Sequence, residues 1–170
     1  MITSQDILRL FPIREPYRFL DSIHYLDGER LSGICRFPPE AFFYRGHFPG
    51  NPVTPGSVIQ ETAAQAVLAF GMYLLGNRIA PVSDIPGFLS GGDFPVGQDA
   101  GCFYLVQTEL SFKKIILPGE TVTVEAEKVF FRLNKLKCKV MIKTEDGSTA
   151  MRGIISGIVI KENLPWQDGL

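Results

Sequence analysis

His47 and Glu61 are the residues of this chain whose types and spacing suit acid–base chemistry. His47 lies in the stretch Gly46-His47-Phe48-Pro49-Gly50-Asn51-Pro52-Val53-Thr54-Pro55-Gly56, where Gly46, Gly50 and three prolines exclude a regular helix or strand. The following residues, Gly56 to Leu75, predict a helix that is apolar on nearly every side, through Val58, Ile59, Ala63, Ala66, Val67, Leu68, Phe70, Met72 and Leu74. A helix apolar all round belongs in a core. Glu61 and Gln65 stand one turn apart on that helix and are out of character with it. A carboxyl group taken out of water takes up a proton more readily, so its pKa rises. A histidine on a rigid loop and a carboxyl group in a dry pocket form a candidate general acid/base pair.

The plainer readings stand beside this one. A histidine in a loop is most often solvated or structural, and His24, in the middle of a predicted strand, is read that way. Glu61 has an alternative role as a buried carboxyl retained for fold specificity. Gln65 either supports Glu61 or satisfies buried backbone. Gly56 in the plain reading only permits close packing.

These residues need a frame. Thr3 to Leu10 reads as a short helix capped by Thr3 or Ser4. Phe19 to Leu26 and Arg30 to Phe37 read as strands joined at Asp27-Gly28, a strong hairpin signal. Pro38 to Phe43 fits one helical turn. Thr54 is the expected N-cap of the central helix, with Pro55 as its first residue, because a proline there lacks only an N–H that would be unbonded anyway. Gly76 to Gly101 is a long connection rich in Gly, Pro and Asp. Its apolar Ile85, Phe88, Leu89 and Phe94 suggest a lid or a dimer contact. Strands follow at Cys102 to Phe112, Thr121 to Phe131, Leu136 to Thr144 and Ser148 to Ile160, with turns at Leu117-Pro118-Gly119-Glu120 and Glu145-Asp146-Gly147. Clear alternation from Thr121 to Val129 predicts one wet face. The polar stretch 161–170 reads as a loosely held tail. Strands around one long buried helix, without alternating helices, define a single α+β domain over 1–170 with an antiparallel sheet wrapped round the helix.

Composition excludes several classes. The formal charge of −1 gives no electrostatic case for nucleic acid or an anionic membrane. Local cations at Lys113-Lys114 and at Arg132, Lys135, Lys137 and Lys139 are either solvated strand faces or a contact for a carrier protein. Cys35, Cys102 and Cys138 lack metal-ligand spacing and read as small core residues, so no metal site or disulfide framework is expected. Charges at Asp6 and Arg9 interrupt any signal-peptide pattern. The central helix is about long enough to span a bilayer, yet Gln60, Glu61 and Gln65 favour a core helix and no membrane insertion. A cytoplasmic location is the expectation.

His47-Phe48-Pro49-Gly50-Asn51-Pro52-Val53-Thr54-Pro55-Gly56 followed by Glu61-Thr62-Ala63-Ala64-Gln65 closely resembles the signature of the β-hydroxyacyl-acyl-carrier-protein dehydratases of type II fatty acid synthesis. Weaker likenesses flank it. Phe11 to Asp21 resembles that family's opening Leu-Pro-His-Arg-Tyr-Pro segment, and Phe112-Lys113-Lys114 with Leu117-Pro118-Gly119-Glu120 resembles its Phe-Arg-Arg and Pro-Gly-Asp elements. The resemblance implies the hotdog fold, a helix inside a curled antiparallel sheet. It also implies a homodimer whose site pairs His47 of one subunit with Glu61 of the other, and is compatible with a trimer of such dimers. The substrate would be an acyl thioester on the phosphopantetheine of acyl carrier protein or on coenzyme A, with no metal or redox cofactor. In the roles that the resemblance implies, His47 is the base, Glu61 the acid, and the Gly56 N–H the holder of the thioester carbonyl. Gln65 supports Glu61, and Val58 and Phe103 line an acyl tunnel. Glutamate at 61, where another branch of the family has aspartate, favours the branch that only dehydrates. Three departures stand out: Ile13 in place of the usual histidine, Phe103 where a gating tyrosine is expected, and the long 76–101 connection. The alternatives weighed against a dehydratase are a hotdog thioesterase and a non-catalytic acyl-carrier-binding subunit.

Overall fold

The computed structural model describes residues 3–77, 102–133 and 135–160, without the side chains of 102, 103, 159 and 160. The lid or dimer-contact reading of 76–101 and the tail at 161–170 thus fall almost wholly outside the described residues. Helix α1 (Ser4–Leu10) opens the chain. Thr3 caps it by accepting from the Asp6 N–H, while the Asp6 carboxylate accepts from the Thr3 N–H at 3.0 Å, a reciprocal box that satisfies two otherwise unbonded donors. Strands β1 (Ser22–Leu26) and β2 (Arg30–Arg36), a short 3-10 helix (Phe42–Arg45) and the long helix α2 (Gly56–Gly76) follow. Strands β3 (Cys102–Phe112), β4 (Thr121–Arg132), β5 (Lys135–Thr144) and β6 (Thr149–Ile160) complete the fold.

The six strands form one antiparallel sheet in the order β1-β2-β4-β5-β6-β3. Register follows from the alternation seen in the sequence. Val122, Val124 and Ala126 of β4 are buried, as are Leu136, Cys138, Val140 and Ile142 of β5, while Glu125 and Glu127 between them stay accessible. A one-residue slip would turn every one of these side chains over, so the pattern fixes the pairing. The inward rows close on α2, which packs against β2, β3, β4, β5, β6 and α1. Ala63, Ala66, Val67, Ala69 and Phe70 are wholly buried at that contact. In composition and length α2 would suit a bilayer, but 83% of its most apolar window is buried inside the fold. It is a core helix.

The structure amends three local expectations. The first strand begins at Ser22 rather than Phe19, because a side chain of α2 takes the N–H groups of Phe19 and Leu20. The helical turn expected at 38–43 is displaced to the 3-10 helix at Phe42–Arg45. Pro38 and Pro39 have no N–H to give, and a tight turn closes instead from the Ala41 N–H to the Pro38 carbonyl at 2.9 Å. Helix α2 begins at Gly56 with Pro55 as its N-cap, and no side chain caps it. The Thr54 hydroxyl meets the Tyr44 phenol instead.

Cys35 and Cys138 are buried and free, as core residues should be; burial pushes the Cys138 thiol up to about 12 and raises Cys35 as well, so neither is reactive. The side chain of Cys102 is outside the described residues. Of the two basic groups, Lys114 is held by Asp146 at 2.7 Å and Thr144 at 3.1 Å, and Lys139 faces Glu127 at 3.2 Å. Lys113, Arg132, Lys135 and Lys137 have no ion-pair partner among the described residues.

The edge pairing of β3 with β6 depends on Gly153. A Cβ there would stand 2.0 Å from the Glu109 carbonyl oxygen, a contact no side chain can make. Gly153→Ala is therefore expected to lower the unfolding free energy by roughly 1–3 kcal/mol, the usual cost of overpacking. Urea denaturation measures it, and an unchanged midpoint would contradict the close approach.

Candidate active site

Gln65 sits in the middle of α2 with only 1% of its surface exposed. A primary amide left unbonded there would cost several kcal/mol, so its partners must come from elsewhere in the chain. They come from the segment that precedes β1. The Gln65 Oε1 accepts from the N–H of Phe19 at 2.8 Å and of Leu20 at 3.4 Å, and its Nε2 donates to the Tyr17 carbonyl at 2.8 Å. The remaining N–H donates to Glu61 Oε1 at 3.0 Å. Both lone-pair sites and both protons of the amide are used. Gln65 thus does both things that its sequence position suggested, satisfying buried backbone and holding Glu61.

This network fixes the chemistry of Glu61. Backbone N–H groups only donate, so the amide atom facing Phe19 and Leu20 is the oxygen and the atom facing Glu61 is the nitrogen. Glu61 Oε1 must then accept, and when the carboxyl is protonated its hydrogen rests on Oε2. Burial raises the pKa of the half-buried Glu61, and the Gln65 hydrogen bond pulls the other way more weakly. The effect reaches Tyr17, whose phenol is raised first by burial and then by the Glu61 charge. Tyr17 is half exposed, which places the Glu61 carboxyl near an opening to solvent.

His47 is held by a second clasp. The Val53 N–H donates to the His47 carbonyl at 3.0 Å, and His47 Nδ1 lies 3.0 Å from the Val53 carbonyl oxygen. A carbonyl only accepts, so Nδ1 carries the hydrogen and Nε2 of the neutral ring is left with a free lone pair. The Phe48 ring stacks on the imidazole with centroids 4.1 Å apart. Within one chain no hydrogen bond or ion pair joins His47 to Glu61 among the described residues: their partners are Val53 and Gln65.

At the start of α2 the first helical N–H groups to find acceptors are those of Val58 and Ile59, both on the Pro55 carbonyl. The Gly56 and Ser57 N–H groups have no partner among the described residues, as the first turn of a helix dictates. A Cβ at Gly56 would stand 3.6 Å from the Phe112 ring, an ordinary contact, so packing within the chain does not demand glycine there. Val58 is buried next to this helix start, while the Phe103 side chain lies outside the described residues. His24, read from the sequence as structural, is exposed on β1, and its side chain makes no hydrogen bond among the described residues. Among the described residues no three His, Cys, Asp or Glu side chains are gathered as metal ligands would be.

Two contributors were not visible in the sequence: the Tyr17 carbonyl, which anchors Gln65 from 48 positions away, and the Tyr44 phenol, bonded to Thr54 at 2.6 Å. Neither has a local signal, because each pair is made only by the folded chain.

A long helix carrying a carboxyl group inside a curled antiparallel sheet, with a histidine loop leading into it, defines a hotdog protein. Solved structures of that fold align over nearly the whole chain. The dehydratase heterocomplex ApeI:P from Xenorhabdus doucetiae superposes with a TM-score of 0.70 at 10% identity, covering 95% of each chain. The thioesterase HI1161 from Haemophilus influenzae superposes at 0.61 and 13% identity, over 97% of this chain and 95% of that one. At such identities they establish the fold alone. The sequence is more particular: the FabA-like domain matches residues 11–153. The 3-hydroxyacyl-acyl-carrier-protein dehydratase FabZ of Acetivibrio thermocellus is 32% identical over 164 residues, 96% of this chain and 98% of that protein. The FabZ of Bacillus pumilus is 32% identical over 151 residues, 88% and 90% of the two chains. The chain belongs to the FabA-like family of dehydratases.

Two outcomes follow from the Gln65 network. Gln65→Leu strands the Phe19 N–H, the Tyr17 carbonyl and Glu61 together, at roughly 1–3 kcal/mol for each buried group left unpaired. The surviving folded protein should also show Glu61 titrating higher than in the wild type, because the one interaction that lowers it has gone; carboxyl-carbon NMR reads this, and an unchanged titration would contradict the network. The second outcome concerns stability. Since folding raises the Glu61 pKa, the stability that this group contributes is present below the ordinary carboxylate range and is lost as pH rises through the folded value. Glu61→Gln lacks that loss, so its stability relative to the wild type should grow with pH across this window in urea denaturation. Parallel pH curves would count against a perturbed Glu61.

Proposed function

We propose that this chain removes water from β-hydroxyacyl thioesters to give trans-2-enoyl thioesters, with His47 as base and Glu61 as acid. One observation carries the reading: the two side chains are held with complementary polarity. Nδ1–H of His47 is spent on the Val53 carbonyl, which leaves Nε2 to accept a proton. Oε1 of Glu61 is spent on Gln65, which leaves Oε2 to deliver one. His47 Nε2 takes a proton from C2, and the electron pair moves into the thioester carbonyl. The negative charge that grows on that oxygen is met by the unbonded Gly56 N–H at the positive end of α2. The enolate then expels the C3 hydroxyl, which takes the Glu61 Oε2 proton and leaves as water. Return of a proton from His47 to Glu61 through solvent resets the pair. Burial supports Glu61 in its part, because a raised pKa keeps a carboxylic acid protonated closer to neutral pH.

The site is completed by a second copy of the chain, His47 of one subunit facing Glu61 of the other. Two features support this. Among the described residues no hydrogen bond or ion pair joins the two side chains within one chain, and β3 is an edge strand of 11 residues with Leu105 and Val106 more than 40% exposed, a form that invites pairing. The FabZ relatives act on substrates carried by acyl carrier protein, which supports that protein as the bearer of the substrate here. Lys113, Arg132, Lys135 and Lys137, which have no ion-pair partner among the described residues, are the cations available to receive it. No metal or redox cofactor is needed for this reaction, Val58 is the described residue available to line the acyl channel, and the enzyme works in the cytoplasm.

Loss of enoyl absorbance from crotonyl and longer trans-2-enoyl thioesters tests the reading in the hydration direction. His47→Ala and Glu61→Gln should each lower the rate by about 10²–10⁴, the usual worth of a positioned acid or base. Thiol release without hydration would make the protein a thioesterase, and no reaction from folded protein would leave a binding subunit.

A further inference from the structure

The loop that carries His47 is closed at its base by a bond the reaction itself does not use. Tyr44, from the 3-10 helix before the loop, and Thr54, just before α2, bring their hydroxyl oxygens to 2.6 Å. Both are buried, with 6% and 5% of their surfaces exposed. Each is anchored on its own side. The Tyr44 ring packs edge-on against Phe43 at 4.5 Å, and Phe43 packs against Phe19 at 6.2 Å, next to the segment held by Gln65. The Thr54 N–H donates to the Ile116 carbonyl at 2.9 Å, which ties the other end of the loop to the connection after β3. Between the two hydroxyls lie residues 45–53, including His47 and the Val53 carbonyl that fixes its tautomer.

We propose that the Tyr44–Thr54 pair is a latch that positions His47: by closing the loop at its base, it holds the Val53 carbonyl against Nδ1 and so keeps Nε2 free as the base. The inference rests on His47 being that base. A hydroxyl pair that short, in a region closed to water, has strict geometry. Val53 adjoins Thr54 in the chain, so displacing Thr54 moves the carbonyl that selects the tautomer. Tyr44 acts through the loop and touches no reacting atom; it is a positioning residue. Its phenol is raised mainly by burial and therefore stays neutral.

The test uses the full-length protein and four variants: Tyr44→Phe, Thr54→Val, the Tyr44→Phe/Thr54→Val double, and Thr54→Ser. Two readouts are taken, hydration kinetics on trans-2-enoyl thioesters and ¹⁵N NMR of the His47 ring. Either single change should lower kcat about tenfold or more with KM nearly unchanged, as loss of alignment does. It should also shift the His47 ring from the Nδ1–H form toward a tautomer mixture. Thr54→Ser keeps the hydroxyl and should restore both. The double variant is decisive. Each single change strands one buried hydroxyl, whereas removing both partners relieves that penalty, so the double should regain thermal stability yet keep the low kcat and the mixed tautomer. Activity that returns together with stability, or an unshifted His47 ring in the singles, would overturn the latch. If instead His47→Ala proves fully active, the base assignment fails, and the ring tautomer still decides whether the latch exists.

Discussion

The Gln65 amide is the constraint on which the rest of the site depends. It is a polar group in the most apolar helix of the chain, and its burial is tolerable only because all its hydrogen-bonding capacity is used. Three of its four bonds bind the segment before β1 to the middle of α2. That junction is why the first strand starts late, at Ser22, and why Phe19 and Leu20 are buried without belonging to the sheet. The fourth bond gives Glu61 an orientation and decides which carboxyl oxygen can carry a proton. Fold and chemistry share one side chain, so a change that loosens one loosens the other.

The His47 loop follows the same logic by other means. It has almost no regular structure, and its shape comes from a few local bonds: Val53 N–H on the His47 carbonyl with His47 Nδ1 on the Val53 carbonyl, Phe48 and Asn51 bonded to each other at 3.0 and 3.4 Å, and the His47 N–H on the Phe43 carbonyl at 3.1 Å. Loops of this kind are precise only where both ends are fixed, and here the ends are fixed by α2 and the 3-10 helix. The sheet supplies the rigid background. Its inward rows press on α2 from five strands, and the outward Glu125–Lys143 and Glu127–Lys139 pairs, half-exposed or exposed, add little to stability.

Much of this was legible in the sequence, for physical reasons that can be named. Alternation in β4 and β5 and the all-round apolarity of α2 leave one arrangement, a sheet closed around a helix, and the Gly/Pro loop with its histidine announces itself by composition. Two of the local misreadings have a common cause. Thr54 has the composition of a helix cap, yet its hydroxyl is claimed by Tyr44 from ten positions away. Phe19 has the composition of a strand, yet its N–H is claimed by Gln65 from 46 positions away. In both cases a tertiary hydrogen bond overrides a local preference, and no window of neighbouring residues contains that information. The candidate residues stood out by type; the partners that orient them, the Val53 carbonyl on Nδ1 of His47 and the Gln65 amide on Oε1 of Glu61, did not, because only the fold supplies them.

The central claim is that the acid and the base of one site come from two chains. Mixing the purified His47→Ala and Glu61→Gln proteins under subunit exchange tests it directly. In a dimer containing one of each, both defects fall on one site and the other site is whole. Random exchange should therefore recover about a quarter of wild-type hydration from two inactive parents, as two-fold symmetry requires. A mixture that exchanges subunits and stays inactive would place both residues in a site within one chain and contradict the account.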